Sequence, residues 1–153
     1  AREKMDAQLK QKADAFMESN KAKPGIVTTG SGLQYEVIRE GTGEKPAITD
    51  TVTVHYKGQL SDGNVFDSSY DRGEPATFTL DRVIKGWQEG IQLMSQGAQY
   101  RIYIPSDLGY GERGAGQDIP PYSPLIFEVE LILVKKGVEE VPSITDPVEE
   151  QAN

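Results

Sequence analysis

The sequence predicts an α+β fold in which an antiparallel sheet packs on one short helix and a second helix leads into it. Several stretches alternate apolar and polar residues with a period of two, whereas one stretch in the middle follows a period of 3.6. The opening residues are rich in Lys, Gln, Glu and Ala with no proline before Pro24. Strands grouped together with a segregated helix define the α+β class.

Taken in order, Met5, Leu9, Ala13 and Phe16 fall along one side of a helix over residues 1 to 22, which Pro24 and Gly25 terminate. Two readings stand for this helix: a solvated helix docked on its own domain, or the end of a longer one joined to a partner-binding or dimerising segment upstream. Gly25 to Gly32 reads as a small polar linker. Leu33, Tyr35 and Val37 alternate as a strand, as do Val52, Val54 and Tyr56 in a second that runs to about Leu60. Asp62-Gly63 signals a hairpin into a short strand at Val65 to Asp67. Val83, Ile84, Trp87, Ile91 and Met94 fit a helix. Alternation resumes at Ala98, Tyr100, Ile102 and Ile104, and again from Leu125 through Phe127, Val129 and Leu131 to Leu133. The tail after Gly137 is acidic, carries Pro142 and Pro147, and is expected to be mobile. The expected division is a helix over residues 1–23, a folded domain over 24–136 and an acidic tail over 137–153.

A chain of 153 residues fits one ordinary domain with extensions, and no apolar run approaches the roughly 18 residues of a membrane span. The net charge of −8 divides into +2 over residues 1–23, −5 over 24–136 and −5 over 137–153. A body this acidic is repelled by phosphate, so nucleic acid is not an expected partner. With no cysteine there is neither a thiol nucleophile nor a thiolate metal site. The single histidine, His55, lies on the opposite strand face from Val52, Val54 and Tyr56 and reads as a structural strand residue. It has no second histidine to share a metal with, and no G-x-S-x-G elbow to serve, so neither metal nor cofactor is expected.

Two features carry chemistry. Ile104 to Leu125 is a long glycine- and proline-rich loop holding Tyr110, and long loops inside compact domains are usually functional. Its Gly109-Tyr-Gly111-Glu-Arg-Gly114 matches the dinucleotide pattern G-x-G-x-x-G, but it runs into Gly116 and Pro120-Pro121 rather than a helix, so no pyrophosphate site follows. The second feature is aromatic. Tyr56, Phe66, Phe78, Trp87, Tyr110 and Phe127 come from separate elements at core-facing positions; they read either as plain core or as a cleft. Trp87 beside Gly86 near the start of the helix, and Tyr110 on a wet loop, favour the cleft. An aromatic floor with few polar groups suits a proline ring better than a charged metabolite.

VTVHYKGQLSDGNVFDSS (Val52 to Ser69), VIKGWQEGIQLMSQG (Val83 to Gly97), SDLGYGERG (Ser106 to Gly114) and IPPYSPLIFEVEL (Ile119 to Leu131) closely resemble, in family order, the FKBP-type peptidyl-prolyl cis-trans isomerases. The linker TTGSGLQYEVI after a charged helix is similar to the bacterial subgroup of macrophage infectivity potentiators. The resemblance implies a five-to-six-stranded antiparallel half-barrel wrapped around one short helix. It also implies acceleration of X-Pro bond rotation in protein clients, and inhibition by macrolides such as tacrolimus or rapamycin; the alternative is a proline-docking or chaperone module without much turnover. Carried onto this chain, the family's pocket comprises Tyr56, Phe66, Asp67, Arg72, Phe78, Val83, Ile84, Trp87, Tyr110, Ile119 and Phe127. Trp87, Phe66, Val83, Ile84 and Phe127 would form floor and walls, with Trp87 partly reachable from solvent. The Tyr110 hydroxyl and the Ile84 amide would bind peptide carbonyls, and Asp67, paired with Tyr56 and Arg72, would face the twisting bond. The other reading of Asp67 is a cap for the turn at Ser68 and Ser69. Ala76, Ala115 and Asp118 depart from the best-known eukaryotic pattern, where an aromatic, a histidine and an apolar residue stand. The subgroup implies a bacterial periplasm or cell envelope, with the cytoplasm also open. It further implies a dimeric intact parent joined through an upstream domain, while this chain alone is expected to be monomeric.

Overall fold

A computed structural model describes residues 2–136, with side chains from residue 6 onward, so the acidic tail and the mobility expected of it lie outside the described residues. The elements run α1 (Arg2–Lys21), β1 (Val27–Thr28), β2 (Gln34–Arg39), β3 (Thr51–Leu60), β4 (Val65–Ser68), α2 (Ser69–Arg72), β5 (Ala76–Thr79), α3 (Lys85–Gln92), β6 (Gln99–Ile104) and β7 (Leu125–Lys135). All strands join one antiparallel sheet in the order β1-β2-β6-β7-β3-β4, with β5 also pairing with β3. Seven strands stand where five to six were expected. The additions are small: β1 is a two-residue pairing inside the stretch read as linker, and β5 is four residues long.

The long strand β3 organises the sheet because its alternation is strict. Val52, Val54 and Tyr56 are buried on one face, while β7 pairs with it along its whole length. The Asp62-Gly63 turn forms as expected: Leu60 and Asn64 close it through Leu60 N–H to Asn64 O, and Gly63 takes φ 95°.

Helix α3 packs across the concave face, and its closeness follows from two glycines one turn apart. A Cβ on Gly86 would lie 2.5 Å from Ile104, and one on Gly90 would lie 2.9 Å from Ile102. The bare backbone lets the helix settle onto β6, which carries Trp87 and Ile91 into the core. The helix is shorter than the pattern suggested: Ile84 is its N-cap in extended conformation, and Val83 precedes it.

Helix α1 docks on the protein's own sheet. Ala13 is buried, the Phe16 ring lies 6.5 Å from that of Tyr103, and Asn20 is 1% exposed. Asn20 donates to the Gln34 side chain at 2.7 Å, and Gln34 in turn donates to the Met17 carbonyl at 2.8 Å. A polar latch therefore holds the end of the helix against β2.

Candidate functional site

Five elements and two connecting segments meet around a cleft of about 380 Å³, a size suited to a small ligand or a few residues of peptide. Tyr56 comes from β3, Phe66 and Asp67 from β4, Phe78 from β5, Trp87 from α3 and Phe127 from β7. Arg82, Val83 and Ile84 line it just ahead of α3, and Tyr110 from the long loop.

The floor is a cluster of edge-on rings. The Trp87 indole stands at 84° to 87° against Tyr56, Phe78 and Phe127, with centroids 5.1 to 5.3 Å apart. This edge-to-face geometry sets the positive ring edges against negative faces. Trp87 is 4% exposed, so it is a buried floor and not the partly solvent-reachable ring expected from sequence; the packing of three rings around it closes it off. Its Nε1 is buried and unbonded among the described residues.

Gly58 lets the wall form. In register it faces Phe127 of β7 on one side and Asp67 of β4 on the other. A Cβ there would fall 2.6 Å from the Phe127 ring and 2.8 Å from that of Phe66. Without one, the two rings meet over the strand at 89° and 5.6 Å.

The polar corner is a triad. The Tyr56 hydroxyl donates to Asp67 at 2.5 Å and accepts from Arg72 at 3.0 Å, while Arg72 also bridges to the other Asp67 oxygen at 2.6 Å. The guanidinium sits 5.6 Å above the Tyr56 ring. Burial alone would raise the Asp67 carboxyl, but the bonds from Tyr56 and Arg72 outweigh it and hold it below the ordinary carboxylate value. Burial pushes the Tyr56 hydroxyl up, and its bond to Asp67 adds to the shift. Bonds to Tyr56 and then Asp67 raise Arg72. The helix cap of α2 is the Ser68 hydroxyl, which accepts from the Asp71 N–H, and the Ser68 backbone also helps to lower the Asp67 carboxyl.

Two residues lining the cleft carry unspent donors. Neither the Tyr110 hydroxyl nor the Ile84 N–H has a hydrogen-bond partner among the described residues, and Tyr110 is 40% exposed.

Of the eleven residues carried over, nine line the cleft. Arg72 stands behind the wall, reaching the site through Tyr56 and Asp67. Ile119 is buried in the core beside it, because its backbone pairs with Ala115 in both directions and draws it inward. None of Ala76, Ala115 and Asp118 lines the cleft. Arg82 does, and sequence reasoning missed it, since an exposed arginine in a charged stretch looks like any solvated side chain. His55 keeps to the structural role read for it: its Nδ1 is 2.8 Å from Ser69 Oγ and its ring stacks on Tyr70 at 4.6 Å.

Comparison with known proteins bears on this geometry. Residues 42–132 match the family model for FKBP-type peptidyl-prolyl cis-trans isomerase, and residues 1–37 match that for the domain amino terminal to it. The outer membrane protein MIP of Legionella longbeachae is 54% identical over 128 residues, covering 84% of this chain and 55% of that protein. A macrophage infectivity potentiator of Trypanosoma cruzi is 49% identical over 154 residues, covering 97% and 79%. The crystal structure of FkpA from Escherichia coli superimposes with a TM-score of 0.84 at 44% identity, covering 89% of this chain and 63% of that one. The chain spans about half the length of the first curated relatives it matches. With a family model over more than half its residues and the family's half-barrel around the aromatic cleft, the chain belongs to the FKBP-type peptidyl-prolyl cis-trans isomerases.

Proposed function

We propose that this chain catalyses cis-trans isomerisation of X-Pro bonds in protein segments and so assists their folding. The observation that carries the reading is the Trp87 floor, walled by Tyr56, Phe78 and Phe127, with unspent donors on Tyr110 and Ile84 at its edge.

The chemistry asks for little more. Rotation about an X-Pro bond faces a barrier of about 18–20 kcal/mol because twisting breaks amide resonance, and the uncatalysed step takes tens of seconds or longer. The planar amide is more charge-separated than the twisted one, so a site that excludes water disfavours the ground state relative to the transition state. Trp87, Phe66, Val83, Ile84 and Phe127 hold the proline ring. The Tyr110 hydroxyl and the Ile84 N–H hold peptide carbonyls, so the chain is fixed while the bond turns. Asp67, held ionised by Tyr56 and Arg72, presents fixed negative charge at the polar corner. Macrolides that mimic a prolyl segment, such as tacrolimus or rapamycin, would bind in the same cleft.

The division proposed is a linker helix over residues 1–23, a catalytic domain over 24–136 and a tail over 137–153. Docking of α1 through the Asn20–Gln34 latch supports counting β2 with the sheet, although the amino-terminal family model extends to residue 37. In a longer parent the same helix would lead toward a dimerising segment, and the name of the Legionella relative favours a bacterial envelope setting.

The test is a protease-coupled or NMR-exchange rate on an X-Pro peptide, with chelator present and no nucleotide. Acceleration supports the reading; binding of the peptide with an unchanged isomerisation rate would replace it with the docking-module alternative.

A further inference from the structure

Arg82 is a charged residue of the cleft that the isomerase reading leaves unused. Two charged side chains line the cleft among the described residues, Asp67 and Arg82. Asp67 is already met by Arg72 at 2.6 Å and by Tyr56 at 2.5 Å. Arg82 has no ion pair and no side-chain hydrogen bond among the described residues, and it is exposed at the rim. It closes a short 3-10 turn, Leu80–Arg82, directly before Val83 and Ile84, whose side chains form the wall. The turn tethers this guanidinium at the rim, beside the wall that a bound proline would touch.

We infer that Arg82 makes the cleft select proline segments carrying an acidic side chain next to the proline. This rests on the isomerase reading and adds a substrate class to it. The surrounding body carries fifteen acids against ten bases over residues 24–136, so its field repels acidic peptides in general. An unpaired cation at the mouth reverses that preference locally, and its planar fork suits a carboxylate. Asp67 does not cancel it, because the Asp67 charge is already satisfied by Arg72.

The experiment compares kcat/KM for short peptides with Glu, Leu or Lys immediately before proline, and for a second set with the same residues immediately after it. At low salt the wild-type protein should favour Glu over Lys in at least one set by roughly threefold to tenfold, as expected for a rim charge pair gained in one case and a repulsion in the other. The preference should shrink toward unity at 1 M salt, where the Debye length is about 3 Å. Arg82→Glu should invert it and Arg82→Gln should flatten it, with near-ultraviolet circular dichroism confirming that each variant is folded. Lys85→Glu makes the same change in net charge at an exposed neighbour that does not line the cleft, and should leave the order of preference intact. No preference for Glu in either set, a preference surviving Arg82→Glu, or an equal inversion by Lys85→Glu would each overturn the inference while leaving isomerase activity standing. Failure to accelerate any peptide would instead remove the isomerase reading beneath it.

Discussion

The Tyr56 hydroxyl donates a 2.5 Å hydrogen bond to Asp67, and Arg72 bonds to both partners from the far side. The pair is thus a fixed polar corner in an otherwise apolar cleft, and Asp67→Leu deletes it. We expect kcat/KM to fall more than tenfold. Ser68→Ala, which removes the true cap of α2, should cost about 1 kcal/mol of stability with the rate preserved. Rates and denaturation of both variants, side by side, separate the roles; a loss of stability without a loss of rate in Asp67→Leu would return Asp67 to a structural part.

The same pair fixes a pH dependence. The Asp67 carboxyl lies below its ordinary value in the folded protein. A group with a depressed folded pKa stabilises the fold fully above its unfolded pKa, about 3.9 for aspartate, and loses that contribution as pH falls through the folded value. Activity, which follows the ionisation of the folded protein, should therefore hold from neutral pH down through the ordinary carboxylate range, while the Asp67-dependent part of the melting temperature should begin to fall near the unfolded value and be lost as pH passes through the folded one. Profiles of wild type against Asp67→Asn check this, and an Asp67-dependent loss centred above pH 5 would contradict the sign.

Tyr110 and Trp87 should separate orientation from packing. Tyr110→Phe keeps the ring and removes an unspent donor, so macrolide affinity should drop by about 0.5 to 1.5 kcal/mol with little change in stability. Trp87→Ala removes a buried floor and should cost about 3 to 5 kcal/mol of stability. Trp87→Leu should retain the fold and part of the activity. Titration of the folded fraction of each variant with rapamycin decides the matter; unchanged affinity in Tyr110→Phe and Trp87→Leu alike would place the ligand elsewhere.

Gly58→Ala puts a methyl where the Phe66 and Phe127 rings already meet. Both rings must shift, and overpacking of this kind costs about 1 to 3 kcal/mol. The melting temperature and macrolide affinity should fall together, because the strained residues are the wall itself. Full affinity in a destabilised variant would show that the rings yield away from the cleft.

In sedimentation at micromolar concentration this chain should run as a monomer. Helix α1 spends Ala13 and Phe16 on its own sheet, leaving no long apolar seam for a second copy among its described side chains. A dimer mass would relocate the self-association surface onto the residues present here.

The legible parts of the fold were those in which a periodic pattern runs long. β3 and β7 announce themselves through ten or so alternating residues, and Trp87 and Ile91 mark one face of α3. β5 escaped notice because four residues after Pro75 are too few to show alternation, and β1 because two residues in a glycine-rich stretch show none. Val83 and Ile84 fit a helical spacing yet lie outside the helix, since apolar spacing registers burial and not backbone dihedrals. Asn20 could not be found at all: a buried polar residue inside a charged helix reveals itself only through its partner, Gln34, fourteen positions away. The six aromatic residues were visible as a set, but the glycine that lets two of them touch was not, because its importance lies in an atom it lacks.

The cleft draws on residues from Tyr56 to Phe127, and no two of its strands supply it alone. Contacts so distant along the chain raise the contact order, which places the protein among the slower folders. A ligand in the cleft consequently grips β3, β4, β5, β7 and α3 at once. Binding should raise the melting temperature of the entire sheet in a single transition, with a size set by ligand concentration over Kd, and hydrogen exchange should slow in strands that never touch the ligand. Occupancy of the site is then a report on the completeness of the whole molecule.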